Sequence, residues 1–505
     1  MLSREQATDL ALLIGIVLLA LFLRVYALDM VAWVPDSYDR LGDAGRLASG
    51  RLPQSTIYPP GVGVMMAPFF AVLPDSLWTM QAVIAGSGVV LVLVAYRWVD
   101  SLTGERLAAL LAAGGVALSP PFVFASRDGL YDIPNVLLIA ASMWLAGGMR
   151  RMPVWALILY GVMLAVLVNV RPNNVLVLPA LALILVATDR VISVRDVVSI
   201  LLSRPVLIVG ATGTLCCVLF VVMGDWIGTS ASAPITLGPA PENLVYYLYV
   251  SGFRAAGLLF LVPLALVGAV SLWRAKPRHT MAILYVIAIW PVLYAPFDFT
   301  SSRYMLPPMF LLLCLAAIGG ASLLSRAQAP ASRVRWPARY AGLAIVVLGL
   351  WFTAGSVLLV ANWTETSARS DEGLAREFRP DLDDLPEGSL LVGAVSRAFH
   401  HTSPELDYFD LIDSTLTTGS SASGVDGMMS AIAEQLSEGG RVLYLHSHWE
   451  QGQDFHGDGQ GQFVLYWEAI TDHFDVTSVM ESAGKRFTGE TWTLYEVTAR
   501  PGSSQ

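Results

Sequence analysis

The sequence predicts a polytopic α-helical membrane protein that ends in a small α/β domain. The chain has 505 residues, of which only 14% are charged, and its mean hydropathy is +0.59. Several windows of about 17–22 residues carry no charge, which is long enough for a helix to cross a bilayer. After residue 362 the composition shifts to Ser, Gly, Asp and Glu, so the last part of the chain has the character of a soluble domain.

The uncharged windows predict eleven membrane helices. They lie at about 8–28, 78–98, 106–123, 133–149, 153–170, 173–188, 205–224, 255–273, 280–297, 304–325 and 340–361. The apolar stretch 61–74 is shorter, and Pro59, Pro60, Pro68 and Pro74 bracket or interrupt it. Because proline disrupts a helix interior, we place this stretch as a re-entrant or interfacial helix on the outer side, where protein must cover any irregular backbone.

The basic residues between these helices predict the orientation of the chain. With the N-terminus in the cytoplasm, every basic cluster between helices falls in an inner loop, as the positive-inside rule requires. The clusters are Arg97 with Arg106, Arg150 with Arg151, then Arg190, Arg195 and Arg204, then Arg274, Lys276 and Arg278, and finally Arg326, Arg333, Arg335 and Arg339. Counting 61–74 as a full span would place these later clusters outside. The sequence therefore predicts a multi-pass protein of the cell membrane with a cytoplasmic N-terminus and an outer C-terminus.

The same pattern predicts how the chain is divided. Residues 1–361 form the transmembrane domain, residues 362–499 an extracytoplasmic α/β domain, and residues 500–505 a disordered tail. In the second domain, short β-rich runs alternate with helical patterns. The strands are expected at Leu390–Val395, Arg441–Leu445 and Trp492–Val497, and the helices at Gly427–Leu436 and Phe463–His473.

Charge, cysteine and histidine usage exclude several kinds of site. The net charge of −9 is spread along the chain, so nothing indicates a nucleic-acid partner. Cys216, Cys217 and Cys314 lie in apolar windows without a CxxC pattern, which favours buried small side chains. His446 and His448, with Asp454 or His456, could bind a metal, but their spacing matches no fixed ligand pattern and favours a surface loop.

The first candidate site residues lie in the predicted outer loop 29–77. There Asp36, Tyr38, Asp39 and Asp43 precede the run Tyr58-Pro59-Pro60-Gly61. Ionisable groups at the mouth of a membrane protein usually mark a functional site, and a carboxylate there can act as a general base. The alternative for Asp36 is a helix cap, and either Asp39 or Asp43 could assist or replace it.

Three further polar segments occur at the predicted outer ends of later helices. They are Ser126-Arg127-Asp128-Gly129-Leu130-Tyr131-Asp132, Asn169-Val170-Arg171-Pro172-Asn173-Asn174 and Asp298-Phe299-Thr300-Ser301-Ser302-Arg303-Tyr304. Arginine presents a planar fork that matches phosphate oxygens, so the three arginines are candidates for binding an anion. The alternatives are an N-terminal dipole partner for Asp132 and interfacial snorkelling for the arginines. The aromatic residues of loop 225–254 favour an anchoring belt.

Taken in order, these segments resemble the GT-C glycosyltransferases that use polyprenyl-phosphate sugars, such as the protein O-mannosyltransferases and the aminoarabinose transferases. The shared elements are the acidic first loop, the Pro-Pro turn, the step from Arg127 to Asp132, the Arg171-Pro172 pair and the Arg303-Tyr304 pair. The resemblance implies a GT-C-like fold and the inverting transfer of a sugar from a polyprenyl-phosphate donor to an extracytoplasmic lipid, glycan or protein. Tyr58 stands where the protein mannosyltransferases carry histidine, which argues against the eukaryotic protein-mannosylating branch.

The resemblance also assigns roles to individual residues. It implies catalytic roles for Asp36, Asp132 and Asp43, with Asp36 as the base that takes the acceptor's proton. It implies substrate binding by Tyr38, Tyr58, Arg127, Arg171, Arg303 and Tyr304, with Arg303 as the first choice for the donor phosphate. No cofactor is implied for every member; some use a divalent cation, and the first loop contains no Asp-x-Asp pair, so metal use stays open.

Two other classes of protein fit part of this pattern. A transporter or flippase for lipid-linked sugars would also have many spans, but it would tend to carry ionisable groups within the spans and internal repeats. Here the predicted spans are nearly free of charge apart from Arg24. A catalytically inactive GT-C-like assembly protein is the second alternative, and the retention of Asp36 argues against it. The identities of the sugar and the acceptor stay open.

Overall fold

The computed structural model describes the chain at residues 4–26, 28, 36–52, 60–74, 77–127, 130–186, 194–223, 240–248, 261–296, 302–327, 335–366, 382, 385–386, 388–393, 406–411, 421–447, 462–482 and 492–500. In the first three quarters of the chain these residues are almost entirely helical. The helices are α1 (Arg4–Val25), α2 (Asp36–Ala48), α3 (Gly61–Phe70), α4 (Leu77–Thr103), α5 (Arg106–Leu118), α6 (Pro120–Ala125), α7 (Asp132–Gly148), α8 (Val154–Val170), α9 (Leu178–Leu185), α10 (Val194–Leu201), α11 (Arg204–Met223), α12 (Ala240–Val245), α13 (Leu261–Ala275), α14 (Pro277–Tyr294), α15 (Leu306–Ala327) and α16 (Arg335–Thr366).

Most predicted spans coincide with helices where the structure describes them, but the span predicted at 173–188 is a 3₁₀ turn, Pro172–Val177, followed by the eight-residue helix α9. Four are long and apolar enough to cross a membrane, at Gln6–Val25, Trp78–Thr103, Asp132–Arg151 and Arg303–Arg326, and shorter apolar helices accompany them. The helix at Gly61–Phe70 has ten residues, which confirms that this stretch is too short for a full span. The protein is therefore a helical membrane protein, while the total of eleven crossings stays a prediction.

The window expected as one helix at 106–123 is divided into two. Helix α5 ends at Leu118, Ser119 has an extended backbone with φ −69° and ψ 122°, and α6 begins at Pro120. A residue that precedes proline avoids the α conformation because the proline ring clashes with it. The sequence Ser119-Pro120-Pro121 therefore ends α5 and redirects the chain toward the segment that contains Arg127.

Glycines allow the helices of the bundle to approach one another closely. Gly268 of α13 and Gly319 of α15 each face the backbone of the other helix, which leaves no room for a side chain at either position. A Cβ at Gly161 of α8 would lie 2.8 Å from the carbonyl oxygen of Val209 in α11. Close packing of this kind is typical of membrane helices, since small residues let the backbones meet.

The C-terminal part of the chain contains a five-stranded mixed sheet. Its strands are β1 (Leu390–Gly393), β2 (Asp407–Asp410), β3 (Val442–Ser447), β4 (Phe474–Ser482) and β5 (Trp492–Ala499), in the order β2-β1-β3-β5-β4. The inner strand β1 is parallel to β2 and β3, whereas β5 is antiparallel to β3 and β4. Two helices, α17 (Ser421–Ser437) and α18 (Gln462–His473), alternate with the strands.

The two faces of this sheet pack against different partners. Val392, Val442 and Tyr444 share an apolar cluster with residues of α17 and α18. The alternate residues Leu391, Leu443 and Leu445 share a second cluster, and that cluster also contains Ala44 of α2 and Val62, Met66 and Phe70 of α3. Because side chains alternate between faces along a strand, one face is covered by α17 and α18, and the other is continuous with the apolar cluster of α2 and α3.

Candidate active site

A buried ion pair lies where α7 begins and α8 ends. Arg171 Nη2 donates a hydrogen bond to Asp132 Oδ1 at 2.8 Å, and the two side chains are only 8% and 1% exposed. Asp132 is the first residue of α7, where a carboxylate is stabilised by the helix dipole. Arg171 follows the last residue of α8 with an extended backbone, so its side chain is free of the helix and reaches α7. Two of the predicted site residues therefore contact each other directly.

Three tyrosines surround the guanidinium group of Arg171. Its Nη2 donates to the hydroxyl of Tyr131 at 3.2 Å, and its Cζ lies 4.8 Å from the centroid of the Tyr131 ring. Tyr304 lies on another side at 4.7 Å and Tyr294 at 6.0 Å. The last two rings stack with centroids 4.6 Å apart and planes 10° from parallel, and Arg303 Cζ lies 5.5 Å from Tyr304. Aromatic faces attract a cation, and this attraction is strongest where water is excluded.

The surroundings of Arg171 keep it charged. Burial lowers the pKa of Arg171, whereas Tyr131, Tyr294, Asp132 and Tyr304 raise it, and the resulting pKa lies well above the ordinary arginine value. A buried arginine next to a carboxylate keeps its proton because the opposite charge stabilises the ionised form. The site therefore offers a positive charge at neutral pH.

A pair of asparagines joins the two helix ends that carry the ion pair. Asn135 lies one turn after Asp132, and Asn174 lies three residues after Arg171. Asn174 Nδ2 donates to Asn135 Oδ1 at 2.6 Å and to the carbonyl of Leu167 at 2.7 Å. These bonds join α7, the end of α8 and the 3₁₀ turn Pro172–Val177. The asparagines therefore hold the start of α7 against the end of α8, where Arg171 meets Asp132.

Each residue of the ion pair has one buried polar atom without a partner. Among the described residues, Asp132 Oδ2 and Arg171 Nη1 are buried and have no hydrogen-bond partner. A buried carboxylate oxygen or guanidinium N–H without a partner is costly, so such atoms call for an explanation in function. Asp132 Oδ2 can therefore accept one more hydrogen bond, and Arg171 Nη1 can donate one.

The helices of the first outer loop pack beside this site. Gly61 at the start of α3 lies directly against the backbone of Asn169 and Val170 at the end of α8. A Cβ at Gly63 would lie 3.4 Å from Cβ of Asp43, and Asp43 is buried with 5% exposure. Contacts from α2 to α3 and from α3 to α8 thus bring the acidic helix close to the segment of Arg171.

The remaining predicted residues of that loop are described only in part. Helix α2 begins at Asp36, so Asp36 and Tyr38 lie in its first two turns, but their side chains lie outside the described residues. Tyr58 also lies outside them. Helix α2 ends at Ala48, and Gly50 follows with φ +74°, a left-handed conformation that suits glycine and ends the helix.

Arg127 lies against α1 and is fully buried. Its Nη1 donates to the carbonyl of Leu23 at 3.0 Å. Beside it, Arg24 donates to Ser126 Oγ and to the carbonyls of Val116 and Ala117. These carbonyls are released because α5 ends before Pro120, so Arg24 satisfies the helix end. Arg24, the charged residue within the first predicted span, thus has a structural role. The hydrogen bond that Arg127 Nη1 donates goes to α1 and not to the Arg171–Asp132 pair.

Sequence patterns missed several groups that the structure brings to the site. Tyr294 ends a long apolar run, and Tyr247 lies in the loop assigned to an aromatic belt, yet Tyr247 is 1% exposed and packs edge-on against Tyr294. In the sequence, Tyr294 and Tyr247 stand out only as aromatic residues near predicted outer helix ends. Aromatic residues in that position are also typical of an interfacial belt, so the sequence does not assign them to the site. Among the described residues, no group of three His, Cys, Asp or Glu side chains could hold a metal ion. His448 and His456 lie outside them, while His446 stacks on Trp467 at 4.2 Å.

The chain is similar to a known protein family in sequence and to several solved structures in fold. Residues 58–217 match the family described as dolichyl-phosphate-mannose-protein mannosyltransferase. The structure is similar to ArnT from Cupriavidus metallidurans bound to undecaprenyl phosphate, with a TM-score of 0.63 and 13% identity over 96% of this chain and 97% of that one. It is also similar to the oligosaccharyltransferase AglB from Archaeoglobus fulgidus in complex with an inhibitory peptide and a dolichol-phosphate, with a TM-score of 0.57 and 11% identity over 97% and 74% of the chains. No curated protein matches the sequence. The predicted resemblance to the GT-C glycosyltransferases is confirmed at the level of the fold.

Proposed function

We propose that this chain, which has the fold of the GT-C glycosyltransferases, transfers a sugar from a polyprenyl-phosphate donor to an extracytoplasmic acceptor with inversion. The observation that carries the proposal is the buried Arg171–Asp132 pair, in which each residue has one unpartnered polar atom. A phosphate fits this place, because a guanidinium N–H can donate to its oxygens. The carboxylate is suited to a hydroxyl of the sugar, since it can only accept hydrogen bonds when ionised.

A groove for the lipid part of such a donor lies next to this pair. An apolar cavity of about 410 Å³ lies between α8, α9 and α11, and its lining includes Leu164, Val168, Leu178, Gly213 and Cys217. Asn169 Nδ2 lies 3.8 Å from Cys217 Sγ, and Asn169 precedes Arg171 by two residues. A donor with its phosphate at Arg171 would thus place its first isoprene units in a groove that is lined by apolar side chains and turned away from water.

The proposed chemistry is a single displacement at the anomeric carbon. The acceptor oxygen or nitrogen attacks that carbon, its proton passes to a carboxylate, and the bond from the carbon to the phosphate oxygen breaks. The electron pair of that bond leaves with the phosphate, whose negative charge increases as the bond stretches. A fixed guanidinium at a water-poor site stabilises this charge more in the transition state than in the ground state. One displacement without a covalent sugar–enzyme intermediate inverts the configuration.

Asp36 is the proposed general base. It begins α2, and α2 is joined through α3 to the end of α8, so its helix belongs to the same assembly as Arg171. General-base catalysis by a positioned carboxylate contributes about 10²–10⁴-fold in rate. Asp43 and Asp132 are proposed as supporting acids. Asp132 already pairs with Arg171, which fits it for positioning rather than for proton transfer.

The proposed topology has eleven spans, with the N-terminus in the cytoplasm and residues 362–499 outside. The apolar cluster shared by the sheet and α2–α3 supports it, because the C-terminal domain and the first loop must then lie on one side of the membrane. Eleven spans satisfy this requirement, because one crossing precedes the first loop and an even number of crossings separates that loop from the C-terminal domain. Reporter fusions after Gly148 and after Asn362 are expected to report the cytoplasm and the outside, respectively. A cytoplasmic signal at Asn362 would contradict the topology.

The biological role is tested in a strain that lacks the gene. We expect one sugar to disappear from an envelope lipid, glycan or protein, and the wild-type chain to restore it. The Asp36→Asn variant should not restore it, although it should accumulate in the membrane at the wild-type level. Complete restoration by Asp36→Asn would favour an assembly protein without catalytic activity.

A further inference from the structure

Helix α3 lies between the acidic helix α2 and the end of α8. Gly61, its first residue, lies directly against the backbone of Asn169 and Val170, which immediately precede Arg171. Gly63 faces α2 instead. At 3.6 residues per turn, two residues correspond to about 200° around a helix, so α2 and α8 contact nearly opposite sides of α3. Helix α3 therefore sets the separation between the acidic helix and the segment that carries Arg171.

The contact between α2 and α3 leaves little space at Gly63. A Cβ at this position would lie 3.2 Å from Leu47 Cδ1, 3.4 Å from Asp43 Cβ and 3.5 Å from the backbone nitrogen of Ala44. The first of these atoms is the end of a flexible side chain, whereas the other two move only with the helix. A methyl group at position 63 would thus require a small shift of Leu47, and a larger side chain would require one of the two helices to move.

Helix α3 is supported by an apolar cluster that includes the C-terminal sheet. Its residues Val62, Met66 and Phe70 are buried, and they recur every four residues along one side of the helix. They share the cluster with Leu391 of the inner strand β1. Close-packed apolar groups yield little when further atoms are inserted, so this cluster resists a shift of α3.

Helix α2 is the less confined of the two helices. Gly42 on α2 is exposed, and a Cβ at this position would meet no atom within 4 Å. The apolar cluster that supports α3 contains three residues of that helix but only Ala44 and, in part, Ala48 of α2. A side chain added at position 63 is therefore expected to displace α2 rather than α3.

A displacement of α2 would move the proposed general base. Position 36 precedes Asp43 by seven residues, which is close to two full turns, so it lies on the same side of α2 about 10 Å further along the helix. The misplacement of a reacting group by about 1 Å can reduce a rate by about 10²-fold. The contact at Gly63 therefore determines where the acidic helix stands relative to Arg171.

We propose that Gly63 is a positioning residue for the sugar transfer, and that α3, supported by the C-terminal sheet, holds the acidic helix at the distance from Arg171 that the reaction needs. This inference rests on the proposed function, since it assumes that α2 carries the general base. Gly63 acts through α2 and not by contact with the substrates. The C-terminal domain thereby takes part in the reaction through the packing of α3, without binding the donor.

The test uses purified full-length protein with a polyprenyl-phosphate sugar and an acceptor fraction from the deletion strain. Gly63→Leu is expected to lower kcat by about 10- to 100-fold, with an unchanged KM for the donor because Arg171 stays in place. Each chain should still bind one polyprenyl phosphate, counted by native mass spectrometry. A misfolded variant would bind less, so this count separates a displaced helix from a damaged protein.

Two further variants control for the added side chain. Gly63→Leu/Leu47→Ala removes the group nearest to the new leucine and nearly restores the packed volume, so kcat should return to within about threefold of the wild type. Gly42→Leu adds the same side chain to the exposed side of α2 and should keep the wild-type kcat. If Gly63→Leu does not fold, Gly63→Ala gives the same test with a loss of about threefold, which Leu47→Ala should again reverse.

Two adjacent leucines of β1 test the support from the sheet. Leu391 lies in the apolar cluster of α3, whereas Leu390 lies in the cluster of α17 and α18. Leu391→Ala should lower kcat by about threefold to tenfold with polyprenyl-phosphate binding intact. Leu390→Ala removes the same group from the same strand and should keep the wild-type kcat. Equal kcat values in the two variants would contradict the role of the sheet.

The outcomes distinguish this inference from the proposed function. Wild-type protein that transfers no sugar from the lipid-linked donor would overturn both. Active wild-type protein together with a wild-type kcat in Gly63→Leu, or no recovery in Gly63→Leu/Leu47→Ala, would overturn the positioning role of Gly63 alone.

Discussion

Turnover of the Arg171→Ala variant is expected to fall by roughly 10²–10³-fold, as it does when an enzyme loses one preorganised donor to a developing anion. The reason is that Arg171 is charged, buried and held by Asp132 and Tyr131 before the donor arrives. It therefore needs no rearrangement when the leaving phosphate gains charge. The loss should appear in kcat rather than in the apparent affinity for the donor, because the interaction strengthens as the bond breaks. The measurement is initial rate against donor concentration for purified protein.

Three variants exclude a loss through misfolding. Arg171→Ala leaves Asp132 buried without its partner, which destabilises proteins by about 3–5 kcal/mol. The double variant Arg171→Ala/Asp132→Asn removes that charge and should recover stability without recovering turnover. Arg171→Lys keeps the charge but loses the planar fork, so it should be impaired less than Arg171→Ala. Arg151→Ala, in the exposed 3₁₀ turn Met149–Arg151 that follows α7, is the matched control and should retain the wild-type rate. Wild-type kcat in Arg171→Ala would contradict the assignment.

The Asp36→Asn variant is expected to lose turnover by a factor of roughly 10² or more. Asparagine has nearly the same shape as aspartate, but it cannot take a proton from the acceptor at neutral pH. Insertion into the membrane should stay normal, since Asp36 lies in the first turn of α2, in the predicted outer loop and not in a predicted membrane span. The rate should be measured at saturating donor and acceptor, so that kcat reports the chemical step.

Asp43→Asn is the matched comparison within the same helix. Asp43 is buried beside Gly63 of α3, so its replacement should affect the packing of α2 on α3 and cause a smaller loss of turnover. The two variants therefore separate a chemical role from a structural one. If Asp36→Asn keeps a near-wild-type rate while Asp43→Asn does not, the base is Asp43.

The sequence predicts the helices and the order of the site segments well, because both depend on local patterns. Uncharged windows mark α4, α7 and α15, and prolines around 61–74 correctly predict a short helix. The strands β1, β3 and β5 are predicted from their β-branched and apolar runs. Two strands are missed. Strand β2 is short and has an acidic residue at each end, Asp407 and Asp410, and β4 reads Phe474-Asp475-Val476-Thr477-Ser478, which continues without a turn signal from α18.

The contacts that form the site could not be predicted in the same way. Asp132 with Arg171 and Asn135 with Asn174 are each 39 residues apart, and nothing local shows that they meet. The sequence ranks Arg303 first for the donor phosphate, because an Arg-Tyr pair at a late span is part of the resemblance. In the structure, Arg171 has the buried pair and the aromatic surroundings, and Arg303 contacts Tyr304 at the edge of the cluster. We therefore propose Arg171 as the main phosphate ligand, with Arg303 beside it.

The donor that the purified protein uses distinguishes a polyprenyl-phosphate-dependent transferase from one that uses nucleotide sugars. The full-length wild-type chain is incubated with an acceptor fraction from the deletion strain and with either a polyprenyl-phosphate sugar or the matching nucleotide sugar. We expect transfer from the lipid-linked donor only, with inverted anomeric configuration in the product and with a strong loss in Arg171→Ala. Transfer from the nucleotide sugar alone, or equal transfer by Arg171→Ala, would contradict it.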